Sequence, residues 1–104
     1  MPKTITFKEM RDYCCLFDRI SVCIYETARY ENYHDITEVP EGKYDDLYLY
    51  GFGNREALEF YDQNGKLMLL SAMEIMLSSK PRDEIDAMSD AELRKWMREE
   101  RDKA

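Results

Sequence analysis

Leu58-Glu59-Phe60-Tyr61-Asp62-Gln63-Asn64-Gly65-Lys66-Leu67-Met68-Leu69-Leu70, residues 58–70, admits two readings. Asn64-Gly65 between two apolar runs is the strongest short-range hairpin signal, because both residues tolerate the positive φ of a tight turn. The competing reading makes 55–61 a helix capped by Asn54 and ended by Gly65. On that reading 67–77, rich in Leu, Met, Ala and Glu, is also helical. The hairpin is preferred. As a strand, 67–77 places Leu67, Leu69, Met73, Ile75 and Leu77 on one face, and that face is expected to be core.

Upstream, Leu47-Tyr48-Leu49-Tyr50 alternates, with leucines on one face and tyrosines on the other. Gly51-Phe52-Gly53 then reads as a glycine-bounded turn between strands. It does not complete a dinucleotide fingerprint: the third glycine would fall at Glu56, whose carboxylate would repel a pyrophosphate. The segment 35–46 gathers five acids and one lysine around Pro40 and Gly42, and reads as an exposed connection with one helical turn capped by Asp35. Before it, Ile20, Val22 and Ile24 alternate with more polar neighbours as in a half-buried strand. Residues 30–33 would return as its hairpin partner, turned around 26–29.

Both ends of the chain carry helix grammar. Thr6 and Glu9 make a capping box, with Ile5 and Met10 positioned as a hydrophobic staple. The helix over 7–16 that follows would share Phe7, Met10, Cys14 and Phe17 on one face. Near the other end Pro81 breaks the preceding run, Ser89 and Glu92 form a second box, and Met88 and Leu93 staple it. Leu93, Trp96 and Met97 form an apolar stripe at helical spacing. Residues 98–104 are mostly charged and read as a solvated, frayed tail. The expected architecture is one α+β domain over 1–104: a small antiparallel sheet of three to five strands, bracketed by an N-terminal and a C-terminal helix.

Composition narrows the function classes. The chain has 104 residues, 44% of them hydrophobic and 36% charged, which suits one packed domain. Fifteen Lys plus Arg against 22 Asp plus Glu give a net charge of −7, opposite to what direct binding of nucleic acid or anionic lipid requires. The longest apolar-rich run, 67–77, is interrupted by Ser71 and Glu74 and is too short to span a bilayer. Met1-Pro2-Lys3-Thr4 leads into charge without the apolar core of a signal peptide. Three cysteines, two of them the adjacent Cys14 and Cys15, allow at most one bridge to Cys23. A reduced, cytoplasmic protein without a membrane partner is expected.

No catalytic set can be named from residue types. His34 is the only histidine, so any nucleophile–histidine pair must pass through it, and no local signature supports one. Cys14, Cys15, Cys23 and His34 lack the short spacers of a zinc site. The acids of 35–46 do not follow the alternation of an EF-hand loop. No cofactor and no metal is therefore expected. Seven of the eight tyrosines lie in the middle of the chain, where they can pack along strands or supply contact area to a partner. Asp35, Glu38, Glu41, Asp45, Asp46, Tyr48 and Tyr50 are the candidate interaction residues. The acids would meet a protein with a basic surface, and a second copy of the chain is a further candidate partner.

The order helix, strand pair, Glu38-Val39-Pro40, Tyr44-Asp45-Asp46, strand, over residues 5–60, resembles small accessory proteins of bacterial phages and conjugative elements. That resemblance rests on a pattern and carries no active site. It implies a non-enzymatic intracellular interaction module. Because some small acidic proteins of such elements inhibit host defence nucleases by imitating DNA, it also raises DNA mimicry as the alternative.

Overall fold

The computed structural model describes residues 4–13 and 19–103. In order the elements are α1 (Phe7–Tyr13), β1 (Ile20–Ile24), β2 (Arg29–Tyr33), a 3-10 turn (Ile36–Glu38), β3 (Tyr48–Tyr61), β4 (Leu67–Ser78), α2 (Arg82–Asp86) and α3 (Asp90–Lys103). The fold is α+β, with helices at both ends of a four-stranded sheet of order β2-β1-β4-β3. The pairs β1–β2 and β3–β4 are antiparallel, as read from sequence. The sheet as a whole is mixed, because β1 and β4 run parallel with Val22 opposite Ile75. Two hairpins thus meet along their inner strands, and that long-range pairing leaves no local signal.

Both capping boxes form. The Glu9 N–H donates to Thr6 Oγ1 at 3.2 Å and the Thr6 N–H donates to Glu9 Oε1 at 3.3 Å. Ser89 and Glu92 exchange the same pair at 3.1 and 3.2 Å. The expected continuation of the first helix to residue 16, with Cys14 and Phe17 on its apolar face, lies outside the described residues. α3 continues as helix through Lys103, so the charged stretch expected to fray is helical from 98 to 103. α2, a short helix after Pro81, was not expected from sequence.

The hairpin around Asn64-Gly65 is present. Tyr61 pairs with Leu67, Gly65 has φ of 79°, and the Asp62 carboxylate accepts the Asn64 and Lys66 N–H groups at 2.8 and 2.9 Å. Gly51-Phe52-Gly53 is not a turn. It runs through the interior of β3, where Gly51, Phe52 and Gly53 pair with Met76, Ile75 and Glu74. The ladder offered by β4 outweighs the conformational cost of two glycines in a strand.

Two bulges interrupt β3, one at Tyr50 and one where Glu56 and Ala57 together face Ser71. A bulge shifts the alternation of side chains by one residue. Leu49 and Phe52 consequently lie on the same nominal face, and Arg55 shares the other face with Leu58 and Phe60. The main core packs Phe7 and Met10 of α1 against Ile20, Val22, Ile75 and Leu77, with Tyr33, Val39 and Tyr44 closing it. Leu58, Phe60 and Ala72 form a second cluster on the opposite face of the sheet, with Leu70 packed against it. There the long β3–β4 arm bends back toward β2. The Arg55 guanidinium lies 4.3 Å from the Tyr30 ring centre, and His34 Nε2 lies 3.1 Å from the Tyr61 carbonyl.

That bend overturns part of the expected core. Ile75 and Leu77 are fully buried, but Leu67 and Leu69, on the same nominal face, are exposed. Among the described residues, no layer covers the core face at the arm's far end, and the arm buries its other side instead.

Candidate functional site

The acidic segment is held open by local bonds. Asp35 caps the 3-10 turn, its carboxylate accepting the Thr37 N–H at 2.7 Å and the Thr37 hydroxyl. Those two bonds, the hydroxyl's foremost, hold its carboxyl below the usual carboxylate range. Glu38, Glu41 and Asp45 line one cleft of about 470 Å³ together with Lys8, Arg11 and Asp12 of α1. Lys8 sits 3.6 Å from Asp12, and Arg11 donates to the Val39 carbonyl at 3.4 Å. Asp35 and Asp46 are not part of that lining. Three of the five acids are therefore brought together, but with cations among them.

The two tyrosines are elsewhere and are already engaged. Tyr48 is half-buried and its backbone bridges to Thr6. Tyr50, at the first bulge, stacks on Tyr25 with ring centres 4.4 Å apart and lies 4.9 Å from the Arg82 guanidinium. Arg82 also donates to the Tyr50 carbonyl at 3.0 Å. Tyr25 in turn lies 6.3 Å from Trp96, whose other neighbour is the Lys80 ammonium at 5.6 Å. This aromatic group docks α2 and α3 and offers little free ring surface. The structure does not join Tyr48 and Tyr50 to the acids.

A second polar group sits between β2 and the segment before β3. Lys43 Nζ contacts both oxygens of Glu31 at 2.7 and 2.8 Å, and the Tyr33 hydroxyl donates to Glu31 at 2.9 Å. With the Tyr33 proton so committed, the Tyr44 hydroxyl must be the donor across the 2.9 Å Tyr33–Tyr44 contact. The Lys43 ammonium, first among its partners, holds the Glu31 carboxyl below its ordinary value. Burial pushes the Tyr44 phenol well above its own.

Among the described residues, Cys23 and His34 are poorly placed for covalent chemistry. Cys23 is a free, buried thiol, and burial followed by the nearby Glu74 raises its pKa, which disfavours the thiolate. His34 is exposed, bonded to the Tyr61 carbonyl, with its ring 5.3 Å from that of Phe60. Cys14 and Cys15 lie outside the described residues. Among the described residues, no group of three or more His, Cys, Asp and Glu is placed to hold a metal ion. Among the same residues, no helix is long and apolar enough to cross a membrane.

Sequence reasoning missed the largest apolar exposure. Tyr61, Leu67 and Leu69 are 57%, 47% and 62% exposed, and Tyr61 and Leu67 are cross-strand partners. Glu59 stands opposite Leu69 on the same strip. The hairpin signal located these residues, but which face finds a covering layer depends on the arm's bend. No protein-family model, curated protein or solved structure matches the chain.

Proposed function

We propose that this protein is a non-enzymatic interaction module that docks a partner protein through the outer face of its β3–β4 hairpin. The observation that carries the reading is the strip formed by Tyr61, Leu67 and Leu69. Large apolar side chains left together in water on a rigid hairpin mark contact surfaces more often than accidents of packing. Exposed Glu56 and Glu59 on β3 and the half-buried Asp62 after it flank the strip, against one exposed lysine, Lys66. A partner with an apolar groove rimmed by basic residues complements it. The net charge of −7, to which the acids of 35–46 contribute, would attract such a basic rim at long range.

DNA mimicry is less well supported. Imitation needs an unbroken array of negative charge spaced like phosphates. Lys8 and Arg11 stand among the acids of the 35–46 segment, which breaks such an array. The cytoplasm of a bacterial host, and the accessory role in a mobile element that the pattern over 5–60 resembles, complete the proposed setting.

Affinity capture from the source cell, with wild type and a Leu67→Asp/Leu69→Asp variant side by side, tests the reading. The partner should be held by the wild type and lost by the variant, with circular dichroism of the two unchanged. Asp45→Lys/Asp46→Lys should slow association and reduce its salt dependence, yet leave dissociation nearly unchanged. A partner retained at full affinity by the leucine variant would remove the hairpin face as the interface.

A further inference from the structure

A second cleft, on the core face at the β1–β2 end of the sheet, lies apart from the hairpin strip. It is an open recess of about 300 Å³, lined by Val22 and Ile24 of β1, by Leu47 and Tyr44, and by Thr27, Arg29, Tyr30, Glu31 and Lys43. Ligand pockets run from roughly 300 to 1,000 Å³, so this one suits a compact molecule. Val22, Tyr44, Ile24 and Leu47 all belong to the main core or pack against it, so the floor is preformed and apolar.

The rim has an unusual sign. In a chain of net charge −7, this cleft is edged by two cations and one carboxylate. Lys43 neutralises Glu31 through its two short contacts. Arg29 remains: it is exposed, and among the described residues it has no ion-pair partner. An apolar recess whose lining includes Arg29, a residue with no ion-pair partner among the described ones, complements an apolar group that ends in a carboxylate, because guanidinium and carboxylate match as a two-bond fork.

We infer that this cleft binds a small hydrophobic carboxylate, the hydrocarbon lying on Val22, Ile24 and Leu47 and the carboxylate meeting Arg29. The Glu31–Lys43 pair forms the polar wall alongside the bound chain. The site is independent of the proposed hairpin interface.

Octanoate, octanol and octylamine, titrated separately into the full chain and followed by NMR shifts, test this directly. Octanoate is expected to move the Val22, Ile24 and Leu47 methyl signals and to bind about tenfold more tightly than octanol, with octylamine weakest. Arg29→Ala should bring octanoate to the level of octanol, and Arg29→Lys should restore part of the difference. Arg29 is exposed and outside the core, so neither variant threatens folding, and unchanged methyl signals without ligand would verify that. Octanol or octylamine binding as tightly as octanoate would overturn the proposal. So would shifts that map to the hairpin strip, or the absence of binding up to the solubility limit. A short peptide ending in Phe that binds only with a free C-terminus, where octanoate does not, would assign the cleft to a protein chain end and overturn it as well.

Discussion

At the scale of single residues, the two helix starts are devices of two reciprocal bonds. Thr6→Ala or Ser89→Ala removes the hydroxyl that accepts the N–H three residues on, and each should lower stability by about 1 kcal/mol. Chemical denaturation reads this as a lower midpoint with unchanged slope, and no shift would place the helix starts elsewhere. The tyrosines make a second prediction. Tyr44, Tyr33 and Tyr25 all have raised pKa values, with burial the first cause in each. A raised folded-state value contributes stability in full below the unfolded pKa of about 10, and that stability is lost as pH rises through the folded value. The protein should therefore weaken above about pH 10, with phenolate absorbance rising together with unfolding, and Tyr44→Phe should blunt the effect. Glu31 works in the opposite sense. Its lowered carboxyl contributes stability above the unfolded carboxylate value, and this is lost as pH falls through the folded one.

At the scale of elements, the β3 bulges decide which side chains meet. Ala57 sits in the second bulge with φ of 57°, in the left-handed region that costs an L-residue roughly 1–2 kcal/mol. Ala57→Gly should raise stability by up to about 1 kcal/mol, after the extra chain entropy of glycine is offset. Ala57→Val should lower it. A loss on Ala57→Gly, as in an ordinary strand interior, would mean that the bulge is not where the ladder breaks. Helix starts were legible because a capping box is complete within four residues. The faces of β3 were not. Each bulge reverses the alternation along β3, so Leu58 and Phe60 fall with Arg55. β4 keeps its alternation, and its Leu67 and Leu69 stay wet because, among the described residues, nothing covers the core face at the arm's far end.

At the scale of the whole molecule, one side chain secures the C-terminal helix. Trp96 is the buried residue of α3, set beside Tyr25 and Lys80. Trp96→Ala should cost roughly 3 kcal/mol and release the helix. The native protein should show blue-shifted tryptophan emission, and a water-like maximum would refute the docking. The exposed hairpin strip and the cation-rimmed cleft are likewise properties of the assembled chain, since each joins residues from different elements.

What the amino-acid order determined by itself was local: both capping boxes, the Asp35-capped turn, the Asn64-Gly65 hairpin, the β1–β2 hairpin and the α+β class. Each rests on contacts between residues close in sequence, where side-chain chemistry and backbone propensity act together. Tertiary structure alone decided the parallel seam between β1 and β4, the passage of β3 through Gly51 and Gly53, and the separation of Tyr48 and Tyr50 from the acids. It also decided which leucines stay wet. These depend on distant strands completing one another's ladders and on the bend of an arm over the opposite face. Such choices are settled by the total of pairing and burial across the sheet, and no short stretch of sequence contains that total.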